Sequence, residues 1–191
     1  MRILLFLSLA LTSATASAGF VELGASANYR YSGYDKYNYI QSLSYTASLS
    51  YYFLEMCEAE LDYTTGYSKQ VSGGAGTTLD PKELIEDNIE LISSSVVLSF
   101  AGRQDPFRPY IKLGAGYLIK DRFRRYNNDN EELLAHQEGV VPTGGLGLAL
   151  NLTSTLSFKL GLDAWTSPLY PKKINPVIVD YAGRAGLSWM F

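Results

Sequence analysis

Residues 41–53 read QSLSYTASLSYYF. Leu43, Tyr45, Ala47, Leu49, Tyr51 and Phe53 alternate with Ser42, Ser44, Thr46, Ser48 and Ser50. A period of two belongs to a β-strand, whose successive side chains leave opposite faces. The second set decides the fold. A strand with one face in water would carry Lys and Glu there, but this one carries only small hydroxyls. Small residues suit the inside of a narrow barrel, where eight strands leave just enough room for side chains. Leu, Tyr and Phe then face outward.

The same period recurs along the chain. Val21, Leu23, Ala25, Ala27, Tyr29 and Tyr31 form one face of a first strand. Ala59, Leu61, Tyr63, Thr65 and Tyr67 form one face of a third. Ile111, Leu113, Ala115, Tyr117 and Ile119 mark the fifth; Leu146, Leu148 and Leu150 the sixth; Leu156, Phe158, Leu160, Leu162 and Ala164 the seventh. The eighth is the terminal DYAGRAGLSWMF, residues 180–191. The fourth, NIELISSSVVLSF, is less regular: Ile92, Val96, Leu98 and Phe100 share a face while Ile89 and Leu91 are out of phase, which suggests a bulge or a late strand start. Each strand is near the 9–11 residues that a tilted membrane strand needs. LEMC and NLTST read as short turns, AGRQDPFRP is long for that side, and the other connections are longer and polar. An even strand count with short turns at one end and long loops at the other predicts an all-β, eight-stranded antiparallel up-and-down transmembrane β-barrel. Two loops carry helix signals. DPKELIED has Pro81 at the first helical position and Glu83 three residues after Asp80, and NNDNEELLAHQE permits a turn or two.

The first residues are a separate segment. Arg2 precedes the apolar run ILLFLSLAL and the small-x-small site Ala16-Ser17-Ala18. This pattern predicts a cleaved signal peptide over 1–18 and a barrel domain over 19–191, hence export. The chain has 191 residues, a net charge of −3 and 15 tyrosines. That balance does not favour nucleic acid, and Tyr is at home in strands and at membrane interfaces. Cys57 is the single cysteine, so there is no internal disulfide framework.

The inner face also carries ionised groups of both signs. Glu22, Glu58, Glu60, Asp62, Asp163 and Asp180 stand against Arg30, Lys112, Lys120, Lys159 and Arg184, a set able to neutralise itself within a closed lumen. Lys120, Arg122, Arg124 and Arg125 in KDRFRRY, with Lys172 and Lys173 in YPKK, fall at the expected outer rim. There they could meet lipopolysaccharide phosphates. The only histidine, His136, falls in an expected polar loop, so no nucleophile–histidine–acid set can be argued. Residues 127–132, NNDNEE, lack the spacing of a calcium loop. No catalytic residue, metal site or cofactor is expected.

The terminal alternation ending in Phe191, together with RPYIKLGAGY and GGLGLALNLTSTLSFKLGLD, resembles the small eight-stranded bacterial outer-membrane barrels of the OmpA/OmpX and opacity type. The resemblance covers the whole mature chain, and its motifs are patterns rather than catalytic signatures. It implies the outer membrane of a Gram-negative envelope, with lipid and lipopolysaccharide as surroundings. It also implies that Tyr181, Leu187, Trp189 and Phe191 act as the signal read by the barrel-assembly machinery. The expected role is non-enzymatic: envelope structure, with loops for surface contact. A narrow pore for small solutes and a lipid A-modifying enzyme are the alternatives.

Overall fold

The computed structural model describes residues 21–35, 38–72, 83–125, 131–169 and 179–191. The expected signal peptide lies outside them. Eight strands run β1 (Val21–Asp35), β2 (Asn38–Leu54), β3 (Cys57–Ser72), β4 (Glu83–Ser99), β5 (Phe107–Arg125), β6 (Glu131–Asn151), β7 (Leu156–Thr166) and β8 (Val179–Met190). Each pairs antiparallel with its sequence neighbours, and β1 pairs with β8 from Glu22↔Met190 to Tyr29↔Gly183, which closes the barrel. Closure leaves no unpaired strand edge along this seam, the condition that hydrocarbon imposes on a sheet.

Sidedness follows the alternation. Leu43, Tyr45 and Leu160 are 39%, 58% and 41% exposed on the outside. Ser48, Ser50 and Thr46 between them are buried within. Trp189 and Phe191 stand on the outer wall at the turn end, their rings 6.4 Å apart, and the Phe191 N–H donates to the Val21 carbonyl at 2.8 Å.

Three expectations change. The strands are 11 to 21 residues long, so several overreach the apolar belt and build the wall above it. Both helix signals fall largely in strand: Glu83–Asp87 pairs with β3 and β5, and Glu132–Glu138 pairs with β5. A one- or two-turn helix is marginal alone, whereas a ladder with its neighbours satisfies every backbone group. Finally, β4 has neither a bulge nor a late start, since it begins at Glu83. Its register with β3 runs unbroken from Cys57↔Leu98 to Ser72↔Glu83, so Ile89 and Leu91 are inner-face residues in phase with Ser93 and Ser95.

The wall is uneven in height. Pairing of β6 with β7 begins only at Thr143↔Trp165, immediately after Pro142, which has no N–H to offer. β7 and β8 have 11 and 12 residues, against 17 to 21 for β4, β5 and β6. Gly139, with φ 149°, adopts a backbone that favours glycine where β6 passes from outward Val140 to outward Glu138.

Candidate functional site

The lumen is built in three storeys. At the turn end, Glu22 of β1 accepts from the Tyr52 hydroxyl at 2.7 Å, and Tyr52 accepts from Arg108 at 3.0 Å. Lys159 of β7 pairs with Glu22 and lies 3.9 Å from Glu58. Arg103 of the β4–β5 turn sits beneath this group, 5.6 Å from the Tyr52 ring centre. One level up, Lys112 Nζ reaches Glu60 at 3.2 Å and both Asp62 and Asp163 at 3.1 Å. Arg184 approaches the same three carboxylates at 3.8, 3.6 and 3.4 Å and donates to Ser26 Oγ at 2.9 Å. Period two on β3 aims Glu58, Glu60 and Asp62 inward, and the facing strands supply the cations. Nearly all these side chains are buried, where an ion pair is tolerated only when its partners and hydrogen bonds are in place.

Tyr110 fills space beside the upper charge level. Its ring lies across two glycines: a Cβ placed on Gly147 would fall 2.5 Å from it, and one on Gly161 2.9 Å from its hydroxyl. Above the charges comes an apolar layer of Leu91, Leu118 and Val141, with Leu118 and Val141 only 1% and 0% exposed, flanked by Ile89 and Trp165. Beside it Asn28 donates to Ser44 and Thr46, and Thr46 shares a 2.8 Å hydrogen bond with Thr64.

The third storey is a cavity of about 180 Å³ at the loop end. Ser42, Ser44, Thr64, Ser68 and Gln70 line it, and Ile89, Leu91 and Trp165 form its apolar floor. Asp87 accepts two bonds from Arg122, at 2.7 and 3.0 Å, and lies 3.5 Å from Lys120, which is also 3.5 Å from Asp180. Arg30 borders the cavity with its guanidinium 4.8 Å above the Tyr181 ring.

The structure therefore brings Glu22, Glu58, Glu60, Asp62, Lys112, Lys159, Asp163 and Arg184 together in the lower lumen. Asp180 is higher, in the mouth. Arg30 is not in the lower network, because it stands just beyond Tyr29, where the β1–β8 ladder ends. Lys120, expected on the inner face as well as at the outer rim, points inward, and so does Arg122, expected at the rim alone, since both are in phase with Lys112. Arg124 shares that phase. The side chain of Arg125, and Lys172 and Lys173 altogether, lie outside the described residues. On the outer wall at that height, Glu90 and Glu138 flank Ile119, and Asp121 stands beside His136. His136 is on a strand rather than a loop. Its Nδ1 bonds Asp121 and its Nε2 lies 3.6 Å from Glu138, an arrangement suited to imidazolium rather than a general base.

Tyr52, Arg108 and Tyr110 are lumen residues that strand alternation alone does not single out. Extending the strand-five alternation back through Pro109 places Arg108 and Tyr110 inward with Lys112, and extending the Ser42–Ser50 phase of β2 by one step places Tyr52 inward.

No protein-family model matches the chain, and no curated protein matches it. Solved structures do. The N-terminal β-barrel domain of Pseudomonas aeruginosa OprF superposes with a TM-score of 0.54 at 15% identity, covering 92% of this chain and 100% of that one. Neisserial surface protein A gives 0.55 at 16% identity, covering 91% and 98%. The outer-membrane protein OprG of Pseudomonas aeruginosa gives 0.56 at 15% identity, covering 92% and 96%. The chain has the fold of the small eight-stranded outer-membrane β-barrels.

Proposed function

We infer that this protein is an integral outer-membrane barrel, non-enzymatic, which acts as a sealed anchor for a surface presented at its loop end. The supporting observation is that the lumen is obstructed twice, by the ion-pair network and by the Leu91–Leu118–Val141 layer above it. A continuous aqueous path would have to break both. The outer belt of Leu, Tyr, Phe and Trp is far larger than any apolar patch that a soluble monomer exposes, and it suits hydrocarbon with aromatic rings at its edges. In this reading the turns face the periplasm and the taller loop end faces out. The bilayer is the immediate partner, and Tyr181, Leu187, Trp189 and Phe191, all on the outer wall, are available to the assembly machinery.

Planar-bilayer recording of the refolded barrel tests the reading. The expected trace shows no steady openings. Steady, reproducible openings would replace the anchor with a narrow pore for small solutes. The enzyme alternative is addressed by mass spectrometry of lipid A from cells with and without the gene, where unchanged acyl chains are expected.

A further inference from the structure

We propose that the cavity at the loop end is a binding site for a small hydroxylated carboxylate, held through Arg30. Four observations converge on it. The first is charge. Among the described residues lining the cavity, Arg30, Lys120 and Arg122 face Asp87 and Asp180. Asp87 takes both Arg122 bonds and shares Lys120 with Asp180, so these four groups satisfy one another. Arg30 has no such carboxylate there, and the described lining carries one uncompensated positive charge.

The second is geometry. The central carbon of the Arg30 guanidinium lies over the Tyr181 ring, 4.8 Å from its centre. That contact engages no hydrogen-bond acceptor, so the guanidinium N–H groups can still grip a carboxylate in a fork. The third is size. A cavity of about 180 Å³ is slightly larger than the roughly 150 Å³ that admits benzene, which sets the ligand at about six to eight non-hydrogen atoms. The fourth is the lining. The hydroxyls of Ser42, Ser44, Thr64 and Ser68 suit a polar ligand, and Ile89, Leu91 and Trp165 suit a short aliphatic part of it. The apolar layer closes the cavity beneath. The ligand therefore docks from the loop end and leaves by the same route. The site adds capture of a solute to the anchoring role and rests on the fold rather than on that role.

L-lactate has the required parts: a carboxylate, one hydroxyl and a methyl group. Lactamide is its neutral counterpart of equal size. The protein refolded in detergent, in a Trp189→Phe background so that Trp165 alone reports, is titrated with sodium lactate, lactamide and sodium chloride while fluorescence is followed. The expected result is a saturable change with lactate only. Arg30→Gln should weaken it at least about tenfold, Arg30→Lys should weaken it less, and Arg103→Gln, at the opposite end, should leave it unchanged. An equal response to lactamide or sodium chloride, no saturation, or identical binding by Arg30→Gln would each overturn the site. The lactate–lactamide contrast decides the matter even if the Arg30 variants fail to refold. Because conductance plays no part in it, its failure would leave the anchor reading standing.

Discussion

The two ends of the lumen are made by the same strands under the same period-two rule, yet they are built differently. At the turn end, nearly every charged group is buried, and most are shared among several partners. Lys112 alone bridges three carboxylates. At the loop end, charges of both signs also meet, but in a partly open cavity lined by hydroxyls, with Arg30 uncommitted to any carboxylate of the described lining. Alternation decides which residues point inward. The depth at which an inward residue falls decides whether it is locked or available. The apolar layer at Leu91, Leu118 and Val141 marks the change between the two regimes.

Replacing Lys112 with Met should expose this contrast most strongly. The change leaves Glu60, Asp62 and Asp163 with Arg184 as their close cation. Removing one member of a buried ionic cluster strands the others, and a loss of about 3–5 kcal/mol is expected. Urea unfolding of the detergent-refolded barrel, or the temperature at which its compact electrophoretic form is lost, measures it. Arg30→Gln in the mouth should change the same quantity by less than about 1 kcal/mol. Comparable losses for the two would mean that both ends are equally locked.

Which parts of this arrangement the sequence discloses follows from the same physics. Side-chain alternation is local, so the strands, their closure and the sidedness of Leu43, Tyr45 and Leu160 can be read directly. The inward carboxylates of β3 can be read too, since Glu58, Glu60 and Asp62 sit two apart. Pairing across the lumen is not local. Arg108 is hidden because AGRQDPFRP reads as a loop, whereas Phe107–Pro109 already pairs with β6 although the β4–β5 register begins only at Tyr110. Arg30 obeys the alternation but sits where its β8 neighbour stops pairing. Ile89 and Leu91 look like a slipped register when apolar residues are expected outside only. An apolar layer inside the lumen breaks that assumption without breaking the strand. Where the two helix signals reach described residues, at Glu83–Asp87 and Glu132–Glu138, they lose to a ladder that no local rule anticipates.

Packing gives a smaller and more local contrast. Gly147 faces the crowded lumen, where a Cβ would collide with the Leu160 carbonyl oxygen and lie 2.5 Å from the Tyr110 ring. Gly183 is exposed, and a Cβ there would have nothing within 4 Å. Gly147→Val should therefore cost about 1–3 kcal/mol through overpacking, and Gly183→Val should stay within about 0.5 kcal/mol. The same unfolding measurement resolves both. A tolerated Gly147→Val would mean that Tyr110 swings away, and that the turn-end plug is looser than its ion pairs suggest.

The smallest effect concerns the outer wall around the mouth. The hydrogen bond that the ring donates to Asp121, reinforced by the charges of Asp121 and Glu138, raises the His136 imidazole above its ordinary 6.5. The folded state thus favours imidazolium. Its contribution is fully present below the unfolded value of 6.5 and fades as pH rises through the higher folded value. His136 is exposed and its partners are in solvent contact, so the effect on stability is small. It is best read as a titration. His136 is the only histidine, so one imidazole signal in the NMR spectrum reports it. That signal should titrate above 6.5, and Asp121→Asn should move the midpoint back toward 6.5. A midpoint below 6.5 in the unaltered protein would show that the ring is not held by its carboxylates, and that this part of the wall is as uncommitted as the Arg30 side of the mouth.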